Sequence, residues 1–139
     1  MILLDTKAQS EMMRSAPADE VVEWMASQPA RDLYTSSITQ AEILHGVLLL
    51  PAGKRRTAFE SAAKSMFDEE FSGRVLPFGS DSASAYAQIA VARRKAGKPI
   101  SHFDAQIAAI AHSNGASITT RNVAVFKGCG VKIINPWVT

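Results

Sequence analysis

A short apolar run near the start of the chain, Ile2-Leu3-Leu4, is followed directly by Asp5. A continuous aliphatic segment bounded by polar residues is typical of a strand buried on both faces, as in a parallel sheet. Such a strand presents a side chain to a ligand only where it ends, and open α/β sheets bind ligands at the carboxyl ends of their strands. We therefore expect Asp5 to be the first ligand of a metal site at that edge.

The composition predicts one globular domain spanning residues 1–139. A chain of 139 residues that is 47% hydrophobic can form a sizeable core and is not expected to be disordered. The formal net charge of +2 creates no strong overall field, so any contact with nucleic acid must come from local basic patches. The single cysteine, Cys129, excludes an internal disulfide framework and a multi-cysteine zinc site, and we interpret it as a packing residue.

The same features predict a soluble cytoplasmic protein with no membrane contact. The first apolar run has no basic segment before it and is too short for a signal peptide. The longest later run, Ile43 to Leu50, is interrupted by His45 and Gly46, so it cannot cross a bilayer. A lone cysteine fits a reducing compartment.

The rest of the chain alternates predicted strands with predicted helices. After the first strand, further strands are predicted at 33–38, 74–78, 117–120 and 131–134. Helices are predicted at 6–13, 19–27, 39–50, 54–71, 80–96 and 103–113. Strands linked through helices favour a parallel sheet with helices on both faces. The predicted fold class is therefore α/β, a three-layer α/β/α sandwich with a mostly parallel five-stranded sheet.

Three more polar side chains are predicted at the edge where Asp5 lies. Glu42 follows the second strand, Asp104 falls in the first turn of the last long helix, and Asn122 follows the fourth strand. Clustered carboxylates repel one another, and some take up protons unless a cation is present. Oxygen ligands that leave water in the coordination shell suit Mg²⁺ or Mn²⁺.

Helix capping is the alternative interpretation of two of these acids. Thr39-x-x-Glu42 matches a capping box, Ser101-x-x-Asp104 is close to one, and an acid in a first turn complements the helix dipole. Asp5 has no such local explanation, because it ends an all-aliphatic strand. Spacing alone leaves both interpretations open for Glu42 and Asp104, and it identifies no substrate.

Five motifs, in order along the whole chain, resemble the PIN-domain family. They are Met1-Ile-Leu-Leu-Asp5-Thr6, Ser37-Ile-Thr-x-Ala-Glu42-Ile-x-x-Gly46, Asp104-Ala-x-Ile107-Ala-Ala, Thr120-Arg121-Asn122 and Ile134-Asn135-Pro136-Trp137. Each motif is weak alone, but five in the expected order are specific. The likeness is strongest to the VapC-like and FitB-like toxins of bacterial type II toxin–antitoxin pairs.

This resemblance implies an endoribonuclease that depends on Mg²⁺ or Mn²⁺. It also implies a homodimer that a small cognate antitoxin inhibits, with operator DNA bound only through that antitoxin. Carried over residue by residue, the catalytic and metal-binding positions are Asp5, Glu42 and Asp104, with Asn122 at the fourth metal position. The positions expected to contact RNA are Thr6, Lys7 and Arg121.

Two residues depart from the family pattern. Asn122 replaces an acid, although its amide oxygen can still bind a metal or hold the metal's water. Lys7 replaces the asparagine of an Asp-Thr-Asn motif. Its ammonium group can pair with Asp5 and compete with a cation, contact the scissile phosphate, or extend into solvent.

Two other functions are therefore considered. The first is a catalytically weakened PIN-like module that dimerises and binds its antitoxin without cutting RNA, which Lys7 favours. The second is a phosphoacceptor receiver domain. That fold needs an aspartate at the end of the third strand, where this chain has Pro77-Phe78-Gly79, so it is disfavoured.

Two basic clusters offer further contacts for a nucleic acid. They are Lys54-Arg55-Arg56 and Arg93-Arg94-Lys95 with Lys98. Such clusters are usually solvated helix faces, but beside the acidic edge they can hold RNA phosphates without reading the sequence. We interpret His102, two residues before Asp104, as a surface histidine rather than a general base.

Overall fold

A five-stranded parallel sheet organises the chain, of which the computed structural model describes residues 1–138. Thr139, the last residue of the predicted domain, lies outside the described residues. The strands are β1 (Ile2–Leu4), β2 (Leu33–Ser36), β3 (Val75–Leu76), β4 (Ser117–Thr119) and β5 (Ile133–Ile134). Their order in the sheet is β3-β2-β1-β4-β5, and every described pair of neighbouring strands is parallel.

Within residues 1–138, seven α-helices flank this sheet. They are α1 (Thr6–Glu11), α2 (Asp19–Ser27), α3 (Ser37–Leu48), α4 (Lys54–Ser65), α5 (Ser80–Lys95), α6 (His102–Ser113) and α7 (Val123–Phe126). A 3₁₀ turn at Ala30–Asp32 precedes β2, and a π-helical segment at Met66–Glu70 continues α4. The predicted α/β/α sandwich is confirmed, with a sheet that is wholly rather than mostly parallel.

The central strand β1 is buried on both faces, as its aliphatic sequence predicts. It pairs with β2 on one side and β4 on the other. Leu3 is 0% exposed and packs in the core with α5 and α6, whereas Leu4 is 1% exposed and packs in the core with α1 to α4. Alternate side chains of one strand thus enter two cores, which is why the strand has no polar residue before Asp5.

The first of these cores depends on the small residues of α6. Ala105, Ala108, Ala109 and Ala111 are all buried, and small side chains let a neighbouring helix and the sheet approach closely. Cys129 is buried in the same core, which confirms its interpretation as a packing residue. His102 is exposed at the start of α6, as expected.

The start of α3 corrects the capping box predicted for Thr39 and Glu42. The helix begins at Ser37, and the hydroxyl of Ser36 accepts a hydrogen bond from the backbone N–H of Thr39 at 3.1 Å. Thr39 is fully buried inside the helix, and Glu42 lies in the second turn rather than the first. The strand predicted at 33–38 therefore ends two residues early, because Ser36 caps the helix in place of the expected cap, Thr39.

Other boundaries differ for physical reasons that the sequence pattern does not show. The edge strands β3 and β5 are shorter than predicted, since each has one neighbour to pair with. Helix α7 is not among the predicted helices, because four residues are too few to show a helical period and Val123 and Val125 favour strands. Among the described residues, no helix is both long enough and apolar enough to cross a membrane.

The Ser36 cap yields a test of the corrected helix start. Replacing Ser36 with alanine should lower the free energy of unfolding by about 1 kcal/mol, because the N–H of Thr39 loses its acceptor. Urea denaturation followed by circular dichroism measures this change. Ser37→Ala is the matched control, since the side chain of Ser37 makes no hydrogen bond with residues 1–138. Equal losses for the two variants would contradict the assignment of Ser36 as the cap.

Candidate active site

A cleft of about 400 Å³ at the carboxyl edge of the sheet brings the predicted acids together. Asp5, Glu42 and Asp104 reach it from three separate segments of the chain, and Asn122 joins them. The remaining residues that line the cleft are Thr6, Lys7, Ser10, Val125 and Phe126. Of the residues predicted to act at the site, Arg121 alone is not part of this lining.

Asp5 is positioned by the sheet and by the helix that follows it. Its backbone N–H donates to the carbonyl of Thr119 at 3.0 Å, which extends the pairing of β1 with β4. Its Oδ1 atom accepts the N–H of Ala8 at 2.8 Å, so Asp5 is the N-cap of α1. The expectation that Asp5 has no capping role is therefore wrong. The side chain both caps a helix and faces the cleft.

Burial makes the Asp5 carboxyl difficult to ionise. Desolvation raises its pKa from 3.8 to about 6, the Thr120 hydroxyl and the Ala8 N–H oppose that rise, and the charges of Asp104 and Glu42 add to it. Only 4% of Asp5 is exposed, so water does little to stabilise its charge. A carboxyl of this kind becomes fully charged at neutral pH when a cation arrives beside it.

Glu42 is held by a short relay of hydroxyl groups. Thr6 donates from Oγ1 to Oε1 of Glu42 at 2.6 Å. The hydroxyl oxygens of Thr6 and Thr39 lie 3.1 Å apart. Because the single proton of Thr6 is used on Glu42, Thr39 is the donor in this second bond. Thr6, predicted to contact RNA, therefore orients a carboxylate in this structure.

Asp104 combines the two roles that the sequence left open. The Ser101 hydroxyl accepts the backbone N–H of Asp104 at 3.2 Å and donates to its Oδ2 at 2.9 Å. Asp104 also lines the cleft. Asn122 precedes α7, where its own N–H donates to the Thr120 hydroxyl at 2.9 Å and its side chain makes no capping bond. Its amide is thus available to the cleft.

The two basic side chains predicted at the site lie in different places. Lys7 is exposed at the cleft, and within residues 1–138 it forms no ion pair. The pairing with Asp5 considered from the sequence is therefore absent. The guanidinium of Arg121 lies 5.7 Å from the centroid of the Trp137 ring, a cation–π contact outside the cleft lining.

The donor set fits a hard cation that keeps water. Across the part of the chain that is described, no three Asp, Glu, His or Cys side chains converge closely enough to ligate one ion directly. The cleft instead offers oxygen donors from Asp5, Glu42, Asp104 and Asn122, with room for water between them. Mg²⁺ typically binds proteins through one or two carboxylates and retains several waters, so this arrangement suits Mg²⁺ or Mn²⁺.

Arg93 was predicted to lie on a solvated basic face but is 8% exposed. Its Nε donates to the Lys98 carbonyl at 2.8 Å, and its Nη1 donates to the carbonyls of Val125 and Lys127. One guanidinium thus ties the α5–α6 turn to α7, which carries two residues of the cleft wall. Arg93 and Arg94 look alike in the sequence, so no local signal identifies the buried one.

The fold and the cleft define a parallel α/β/α protein with an acidic site at the carboxyl edge of its sheet. A family model for the PIN domain matches residues 2–127. The chain belongs to the PIN-domain family, as its motifs predict.

Known proteins are similar over nearly the whole chain. A VapC ribonuclease of Sinorhizobium fredii is 39% identical over 137 residues, covering 99% of this chain and 98% of the relative. Toxin FitB of Neisseria gonorrhoeae is also 39% identical over 137 residues, covering 99% of both chains.

Solved structures of toxin–antitoxin systems are also similar to this chain. FitAB bound to a DNA fragment has a TM-score of 0.93 and 38% identity, over 100% of this chain and 97% of the other. VapBC-5 of Mycobacterium tuberculosis, a member of the VapBC family of toxin–antitoxin systems, has a TM-score of 0.72 and 26% identity, over 96% of both chains.

The raised pKa of Asp5 predicts how the metal-free protein responds to pH. The pKa of Asp5 is about 6 in the folded protein, above the ordinary aspartate value of 3.8 that applies to the unfolded chain. The contribution of Asp5 to stability is therefore complete below pH 3.8 and is lost as the pH rises through about 6. Asp5→Asn keeps a capping side chain without the charge, so it should raise the free energy of unfolding at pH 7.5 by about 1–3 kcal/mol.

Urea titrations in EDTA at pH 4.5 and 7.5 measure this effect as the difference between variant and parent. The gain should be larger at pH 7.5. Asp68→Asn, which removes an exposed carboxylate from the π-helical segment, is the control. A gain that is the same at both pH values would contradict the raised pKa.

Proposed function

We propose that this protein is the toxin of a type II toxin–antitoxin pair and a Mg²⁺- or Mn²⁺-dependent endoribonuclease acting in the cytoplasm. The observation that carries the proposal is the single cleft lined by Asp5, Glu42, Asp104 and Asn122. The similarity to a VapC ribonuclease and to toxin FitB supports it.

The residues of the cleft have distinct tasks in this reaction. A bound divalent cation supplies Lewis acidity toward the phosphate and activates water as a nucleophile. Asp5, Glu42 and Asp104 would hold that cation, with Asn122 contributing its amide oxygen. Thr6 and Ser101 fix the orientations of Glu42 and Asp104, so less reorganisation is needed when the site fills. Asp5 would bind the cation in its charged form, because metal ligands must be deprotonated.

The partners follow from the same cleft. We propose a homodimer whose cognate antitoxin extends a C-terminal arginine toward the carboxylates, since a guanidinium pairs well with such groups. Operator DNA would be bound only through the antitoxin. The VapBC and FitAB structures, one of them bound to DNA, support an antitoxin partner and DNA binding through it. Light scattering at micromolar concentration tests the dimer, and a monomeric mass would count against it.

Removal of the central charge tests the proposed chemistry. Asp5→Asn should reduce RNA cleavage by about a hundredfold or more, because the buried ligand keeps its shape but loses its charge. Cleavage of total RNA is followed with Mg²⁺ and with EDTA, and Asp68→Asn is the control. Cleavage by Asp5→Asn at the parent's rate would show that the acidic cleft is not the active site.

A second candidate function is a catalytically weakened module that dimerises and binds its antitoxin without cutting RNA. One observation favours it. Lys7 lines the cleft and forms no ion pair within residues 1–138. An ammonium group beside the carboxylates lowers their attraction for a divalent cation. The total-RNA assay separates this candidate from the first.

Lys7 itself can be tested by restoring the asparagine of the family motif. Lys7→Asn should tighten Mg²⁺ binding about threefold or more and raise the cleavage rate, because a competing positive charge is removed. Calorimetric titration with Mg²⁺ and cleavage rates measure the two effects, and Lys7→Arg, which keeps the charge, is the control. Slower cleavage with unchanged metal affinity would instead identify Lys7 as an RNA contact.

A further inference from the structure

The end of α5 and the turn that follows it carry exposed cations that do not line the acidic cleft. Arg94, Lys95 and Lys98 are all exposed, and none of them forms an ion pair with the described residues. The other basic cluster differs. Arg56 pairs with Glu60 at 2.9 Å, and the guanidinium of Arg55 lies 5.6 Å from the centroid of the Phe59 ring. Among the described residues, Arg94, Lys95 and Lys98 have neither an ion pair nor a cation–π contact, so all three can contact a ligand.

This turn lies against the wall of the cleft. The buried Arg93 donates to the carbonyl of Lys98 within the turn and to the carbonyl of Val125 in α7. Val125 lines the cleft. The backbone of Lys98 is therefore tied to the segment that lines the cleft, and Arg94 and Lys95 precede it at the end of α5.

Two aromatic residues separate these cations from Asp104 along the chain. The turn leads into His102, Phe103 and Asp104, the first three residues of α6. Phe103 is 52% exposed, although a phenylalanine at a site with no ligand is more stable when buried. Nδ1 of His102 lies 2.7 Å from the Tyr86 hydroxyl, and this hydrogen bond fixes the ring of His102, the residue before Phe103.

We propose that this surface is the path along which single-stranded RNA enters the cleft. Arg94, Lys95 and Lys98 contact backbone phosphates, and Phe103 stacks on the base beside the phosphate held near Asp104. Along the protein chain the cations come first, then the exposed ring, then the carboxylate of the cleft, and a single strand of RNA offers phosphates and bases to groups of these kinds. The inference rests on the proposed ribonuclease function and names its substrate-binding surface, the RNA path.

The test measures binding without cleavage. Every variant carries Asp5→Asn, and the probe is a fluorescein-labelled single-stranded RNA of about 12 nucleotides in EDTA, followed by fluorescence anisotropy at several salt concentrations. Lys95→Gln with Lys98→Gln should weaken binding about fivefold to tenfold at low salt. It should also reduce the slope of log affinity against log salt by about 1.4, since each phosphate contact contributes about 0.7.

The control for this variant removes two lysines placed elsewhere. Lys64 lies in α4, and Lys132 precedes β5 at the opposite edge of the sheet. Lys64→Gln with Lys132→Gln changes the net charge by the same amount, so it corrects for the general field of the protein. A salt slope that falls equally in both double variants would overturn the assignment of the phosphate contacts.

The stacking contact is tested separately. Phe103→Ala should weaken binding about tenfold with an unchanged salt slope, because it removes an aromatic surface and no charge. Phe103→Trp should restore the affinity, and Val91→Ala, which alters another exposed apolar residue on α5, should have little effect.

Three outcomes would overturn the inference. One is parental affinity in Phe103→Ala. Another is a changed oligomeric mass of Phe103→Ala, measured by light scattering, together with an unchanged affinity for RNA. That result would assign this face to a contact between proteins. The third is failure of the Asp5→Asn protein itself to bind the RNA, which would overturn the proposed function as well. The first and second outcomes reject the path alone and leave the proposed function standing.

Discussion

The hydrogen bonds that β1 makes on both sides are the interaction on which the site depends. Pairing with β2 and β4 places the carboxyl ends of three strands at one edge. Asp5 follows the first of these strands, α3 with Glu42 follows the second, and Asn122 follows the third. Asp104 has no strand directly before it, and reaches the cleft because α6 packs against α5 and the sheet.

The acids of the cleft also support the structure around them. Oδ1 of Asp5 caps α1, Oδ2 of Asp104 accepts from Ser101, and Oε1 of Glu42 accepts from Thr6. A carboxylate has two oxygens and several acceptor sites, so one atom can fix the orientation while the group still faces a ligand. Capping and ligand binding, which looked like competing interpretations, are thus compatible in one side chain.

The burial of Asp5 favours metal binding but lowers the stability of the metal-free protein. The burial that raises the pKa of Asp5 makes its charged form costly in the metal-free protein. The same burial strengthens the attraction between that charge and a cation. Behind the cleft, Arg93 holds the α5–α6 turn and α7 together through backbone carbonyls.

The sequence by itself determined the parallel sheet, the buried central strand and the edge at which Asp5 and Glu42 meet, because apolar runs and strand–helix alternation are local patterns. Only the tertiary structure decided which neighbouring residue does which task. Ser36 rather than Thr39 caps α3, and Arg93 rather than Arg94 is buried. Thr6 bonds Glu42 across 36 positions and Arg93 bonds Val125 across 32, and no local pattern encodes contacts so distant in the chain.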